Sequence, residues 1–119
     1  MKSFFCLINI SLFFLVFSNY KSFAGSNVQF FNGAKVLTLC KDTNAINQSA
    51  CEGYILGIQD AISSGHLSQF FNLCIPSGIT PKDLRLQLIN FIEMNPQTIN
   101  FGGESVVAKS LELNFKCKN

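Results

Sequence analysis

The sequence is poor in the groups that carry chemistry. It holds one histidine, His66, in the loop Ser63-Ser64-Gly65-His66-Leu67-Ser68. Neither Cys-x-x-Cys nor His-x-x-x-His spacing occurs, so neighbouring residues build no zinc-type ligand set. Nothing around any serine resembles a nucleophile elbow, and Asp60, Asp83 and Glu93 fall at solvated helix positions. The reading is of a protein that is not an enzyme and takes neither metal nor cofactor. An excess of one charge is also missing. Of nine basic residues, Lys2 and Lys21 precede Gly25; from there on, seven basic residues balance seven acidic ones. Without a basic cluster there is no electrostatic footprint for nucleic acid or an anionic membrane. Low-complexity runs, internal repeats and alternating strand patterns are absent too. Val28-Gln29-Phe30-Phe31 is the one candidate strand, and it is too short to anchor a sheet.

The N-terminus has the form of a cleaved secretory signal peptide over residues 1–24. Met1-Lys2-Ser3 is a short basic start, and the apolar run Phe4 to Phe17 is shorter than the roughly 20 residues of a membrane anchor. Polar Ser18 to Lys21 and the small-residue site Ser22-Phe23-Ala24 follow. Cleavage after Ala24 removes Cys6 and leaves Cys40, Cys51, Cys74 and Cys117. An even set in a short exported domain implies two disulfides formed in an oxidising compartment. The remaining residues, 25–119, are one small domain whose core alone would be marginal, so covalent staples matter.

Helical periodicity accounts for most of that domain. Asn32 reads as the cap of a first helix from Gly33 to about Asp42, with Val36, Leu37 and Cys40 on one face. After a polar loop, Thr43 to Gln48, Ser49 caps a second helix in which Cys51, Tyr54, Ile55, Ile58, Ala61 and Ile62 recur at spacings of three and four. Gly53 and Gly57 on a neighbouring face suggest a close approach to another helix, and Gly65 the stop. Thr80, Pro81 and Asp83 are a strong start for a third helix; Leu84, Leu88, Phe91 and Ile92 form its inward stripe, and Pro96 ends it. A fourth runs from about Glu104 to Lys116 with Val107, Leu111 and Phe115 central. The predicted fold is all-α, a small antiparallel four-helix bundle. Tyr54, Ile58, Leu84, Leu88, Leu111 and Phe115 are its expected core.

Four cysteines allow three pairings. Short connections make sequential helices antiparallel neighbours, which puts Cys40 and Cys51 at one end of the bundle and Cys74 and Cys117 at the other. Cys40–Cys51 and Cys74–Cys117 are therefore predicted. Two features stand out as binding surfaces. Leu86 and Ile89 point roughly 140–200° away from Leu84 on the third helix, an apolar patch of the kind that marks an interface. The connector from Asn95 to Gly103 is longer than a simple join requires and carries Ile99 and Phe101 as candidate anchors. Arg85 and Gln97 are the candidate polar rim.

Two strings carry a family resemblance. Cys51-Glu52-Gly53-Tyr54-Ile55-Leu56-Gly57-Ile58-Gln59-Asp60 is similar to the Cys-x-Gly-Tyr-x-x-Gly-x-x-Asp segment of the Rap/Tai immunity proteins. Cys74-Ile75-Pro76-Ser77-Gly78-Ile79-Thr80 resembles their Cys-x-Pro-x-Gly-x-Thr turn into a helix. The match continues through Gly33, Leu37 and Cys40 upstream and Asn95-Pro96, Ala108, Leu111 and Cys117 downstream. The resemblance implies a small helical periplasmic protein that binds a peptidoglycan amidase effector of type VI secretion and blocks its cleft. It also implies a homodimer and contact through a helix and a protruding loop. A periplasmic stress chaperone, or a general binding module without an effector, is the competing class.

Overall fold

Asn32 starts the fold. Its side-chain oxygen accepts the Lys35 amide at 2.9 Å and so caps α1 (Gly33–Lys41), as the sequence predicts. The computed structural model describes residues 29–65 and 67–118. The expected signal peptide, Val28 of the candidate strand and His66 lie outside the described residues.

The second helix begins earlier than expected. α2 (Ala45–Ser63) is capped by Asn44, whose side chain accepts the Ile46 amide at 2.8 Å. Asp42 steadies the corner before it, taking hydrogen bonds from the Asn44 amide (2.8 Å) and the Asn47 side chain (2.7 Å). Side chains that satisfy first-turn donors can start a helix in a polar segment. The apolar period that pointed to Ser49 begins only once the helix meets the core. At the other end Ser64 donates to the Asp60 carbonyl, and Gly65 follows with φ of +95°, the expected stop.

α3 (Pro81–Met94) has a complete capping box: Thr80 and Asp83 exchange hydrogen bonds between side chain and backbone at 2.8 and 3.2 Å. A 3-10 helix, Pro96–Asn100, comes next, and then α4 (Gly103–Phe115). The fold is all-α, and the described residues contain two isolated bridges, Asn32 with Gly102 and Leu73 with Lys116, and no strand. Both disulfides are present in the expected pairs, Cys40–Cys51 and Cys74–Cys117, with Cα separations of 5.1 and 4.8 Å. On the chain-entropy estimate the two loops are worth roughly 3 and 4 kcal/mol.

Leu84, Leu88, Leu111 and Phe115 are buried as predicted, together with Val36, Ile55, Ile62, Ile92, Val106 and Val107. Tyr54 and Ile58 are only half-buried. The deepest residues of α2 are Cys51, Ile55 and Ile62, which leaves Tyr54 and Ile58 at the margins of its inward face. Gly53 and Gly57 do not mediate a close approach: a Cβ on either would meet nothing within 4 Å. The close approaches are elsewhere. A Cβ on Gly33 would run into the Thr98 carbonyl, and one on Gly103 would lie 2.8 Å from both the Tyr54 hydroxyl and Val36.

Two outcomes follow. Leu88→Ala, which empties space between buried neighbours, should lower unfolding free energy by about 2–5 kcal/mol in urea titrations. The second concerns acid. Hydrogen bonds from the Thr80 side chain and then its backbone hold the Asp83 carboxyl below its ordinary 3.8; the Asn44 amide and the Asn47 side chain do the same for Asp42. A carboxyl whose native pKa is depressed contributes stability above its unfolded value that is lost as pH falls through the native one. Stability should therefore fall below about pH 4, and less steeply in Asp83→Asn, as read from urea midpoints against pH.

Candidate functional site

The connector is a built structure. The Asn95 amide donates to the carbonyls of Phe91 and Ile92, closing α3, and its side chain donates to Phe91 at 2.8 Å. Thr98 turns back on Asn95, its amide at 2.9 Å and its hydroxyl at 2.7 Å from the Asn95 carbonyl, and is buried. Gly33 then donates to the Phe101 carbonyl (2.8 Å) and Gly103 to that of Phe31 (2.9 Å). The lead-in to α1 and the lead-in to α4 thus grip each other across the Asn32–Gly102 bridge. Residues 95–103 are fixed by their own backbone as a short helix with one pinned exit.

That geometry sorts the expected anchors. Leu86 is 48% exposed and Phe101 55% exposed. Ile89 and Ile99 are half-buried against the core, Ile99 because the 3-10 helix rolls it inward beside buried Thr98. Gln97 is exposed. Leu86 and Phe101 are therefore the anchors that remain outward.

Arg85 is not a rim residue. It is 7% exposed, and its guanidinium is spent inside the protein. Nε donates to the Glu52 carboxylate at 2.9 Å, Nη1 to the Cys40 carbonyl at 3.1 Å and Nη2 to the Gln48 side-chain oxygen at 3.3 Å. A planar fork with several fixed donors suits such a site better than a lysine would. The helical phase holds the missed signal. At 100° from Leu84, Arg85 borders the inward arc that Leu88 and Ile92 occupy, whereas Leu86 lies 200° away. Thr98 was missed as well, although Asn95-Pro96 with threonine three residues after the asparagine is turn chemistry.

Other charges are ordinary surface pairs. Lys41 meets Glu93 at 2.5 Å, both about half exposed, and Lys109 meets Glu112 at 2.8 Å, the lysine exposed and the glutamate half-buried, and such pairs near the surface contribute little. The Tyr54 hydroxyl is pushed above its ordinary pKa by burial and then by the nearby Glu104 carboxylate. Among the described residues no group of His, Cys, Asp or Glu is placed to hold a metal ion, and no helix is long and apolar enough to cross a membrane.

Arg85→Gln should remove the fork and leave Glu52 without its ion-pair partner. Because Glu52 keeps some solvent contact, the expected loss is about 2–3 kcal/mol, below the cost of a fully buried orphan charge. Gln97→Ala should change stability by less than about 0.5 kcal/mol. Equilibrium unfolding of the two variants checks both.

A family model described as Rap1a immunity proteins matches residues 32–117, and the chain belongs to that family. Neither a curated protein nor a solved structure matches it significantly.

Proposed function

We propose that this member of the Rap1a immunity family is a periplasmic protein, exported by a cleaved signal peptide, that neutralises a peptidoglycan amidase effector delivered by type VI secretion. Membership of the family carries the immunity role and, with it, an effector partner. The amidase target, the compartment and the surface are the reading argued here. Export is supported by the signal-like residues 1–24 and by four cysteines joined in two disulfides.

Blocking is steric. The inhibitor needs no reactive group, only a rigid surface that fills the effector's cleft and excludes water from a few apolar anchors. Leu86 and Phe101 supply the anchors, with Gln97 and the outer edge of Ile89 beside them. Both stand on backbone that is already ordered, α3 by its capping box and the connector by its pinned exit. Binding then loses little freedom, which favours affinity. From Leu86 to the end of α3 is about 12 Å along the axis, a distance within the span of an interface of ordinary size, roughly 800 Å² per partner. The one observation that carries this surface is that Leu86 and Phe101 stay about half exposed while Ile89 and Ile99 pack toward the core.

Replacing Leu86 and Phe101 together by Asp should abolish protection of cells that express the neighbouring amidase in the periplasm. The thermal melt should stay within a few degrees of wild type, because neither side chain is in the core. A double variant that protects as well as wild type would place the contact elsewhere on the molecule. If the wild type binds no amidase encoded beside it, the amidase assignment itself fails.

A further inference from the structure

A second surface lies between α2 and α4. There the helices and the loop after α2 enclose an open groove of about 310 Å³, with Gly57, Ile58 and Ala61 on one wall, Phe71 from the loop, and Glu104 and Ala108 on the other. None of these residues belongs to α3 or to the connector, and the groove does not rest on the Leu86–Phe101 assignment. Its wall is low at Gly57, where a Cβ would meet nothing within 4 Å. A glycine inside a helix weakens it relative to alanine, and packing within the fold gives no return for it here. The space it leaves is the mouth of the groove.

The groove's apolar lining carries negative charge at its edge. Glu104 receives 3.3 Å hydrogen bonds from the Gln29 side chain on both oxygens and one from Ser105 at 3.2 Å, all from neutral groups. Asp60, the residue before Ala61, is exposed. The cations that form ion pairs among the described residues are Lys41, Arg85 and Lys109, and they pair with Glu93, Glu52 and Glu112. Among the described residues neither Glu104, on the lining of this apolar cleft, nor exposed Asp60 forms an ion pair, and one or two large side chains would fill the space.

From this complementarity we infer that the groove docks a basic, apolar segment of a partner protein. A leucine or phenylalanine enters beside Gly57, and a flanking lysine or arginine meets Glu104, with Asp60 adding to the field. Apolar burial supplies the affinity, and the charge selects the partner and makes binding salt-dependent.

The test uses the disulfide-bonded protein and two blocked tetrapeptides, Lys-Leu-Phe-Lys and Glu-Leu-Phe-Glu, followed by amide chemical shifts. The basic peptide should bind about tenfold tighter than the acidic one, shifting Ile58, Ala61 and Ala108, and should weaken as salt is raised. Gly57→Leu fills the mouth and should weaken it about tenfold, while Glu104→Gln should weaken it about threefold. Gly57→Ala should melt no lower than wild type, which separates a blocked groove from a damaged helix. Failure of the basic peptide to bind, equal binding of the acidic one, or full binding to Gly57→Leu would each overturn the inference. So would a wild-type dimer that Gly57→Leu converts to monomer, because the occupant would then be a second copy of the chain.

Discussion

The orientation of α3 is set by one buried guanidinium. Arg85 reaches from α3 into the corner where α1 turns into α2 and holds the Cys40 carbonyl, the Gln48 side chain and the Glu52 carboxylate at once. The Cys40–Cys51 disulfide closes the same corner covalently. A side chain bound at three points allows its helix little rotation about the axis. With Arg85 directed inward, Leu84, Leu88 and Ile92 fall into the core and Leu86 must face out. The exposure of the proposed anchor is thus a consequence of the corner, and a charge inside the protein is what the phase costs.

A second constraint acts at the other end of α3. The Asn32–Gly102 bridge brings two chain segments into contact that are far apart in sequence, and Gly33 and Gly103 are glycine because backbone or side-chain atoms occupy the place of a Cβ. Phe31 stacks at 5.1 Å on Tyr54 behind this bridge. The connector therefore has its exit fixed by the start of the fold, and Phe101 is held outward by backbone hydrogen bonds on both sides of it. The Cys74–Cys117 disulfide, the Leu73–Lys116 bridge and the Cys74 amide on the Phe115 carbonyl do the equivalent job for the long loop and the C-terminus. A core this small keeps long irregular segments in one conformation by such ties.

Local chemistry was legible where one side chain decides the outcome. Asn32 and Thr80 cap the helices that their positions announce, Gly65 stops α2, and the cysteines pair as antiparallel helices require. The start of α2 was hidden because Asp42 and Asn44 organise it by hydrogen bonds, while periodicity reports only the turns that touch the core. Gly53 and Gly57 were misread because spacing gives a common face without saying which way the face points. Arg85 shows the same limit from the other side. Its polarity suggested the surface, and only the partners on α1 and α2, brought near by tertiary packing, make burial of the charge tolerable. Ile99 and Phe101, two residues apart in one connector, have opposite fates because a 3-10 helix covers the first and ends before the second.

The distribution of rigidity bears on the kind of function such a molecule can perform. Its ordered side-chain contacts serve the fold: Arg85 the corner, Thr98 the connector, Asp83 and Asn44 the helix starts. Among the described residues these polar groups are consumed by structure, and the outward features include Leu86, Phe101 and the groove with Glu104 on its lining. An immunity protein needs a surface whose shape is settled before the partner arrives, since each rotamer or loop ordered on binding subtracts from affinity. In this chain the disulfides, caps and bridges settle it during folding, leaving contact area as the main contribution the effector has to meet.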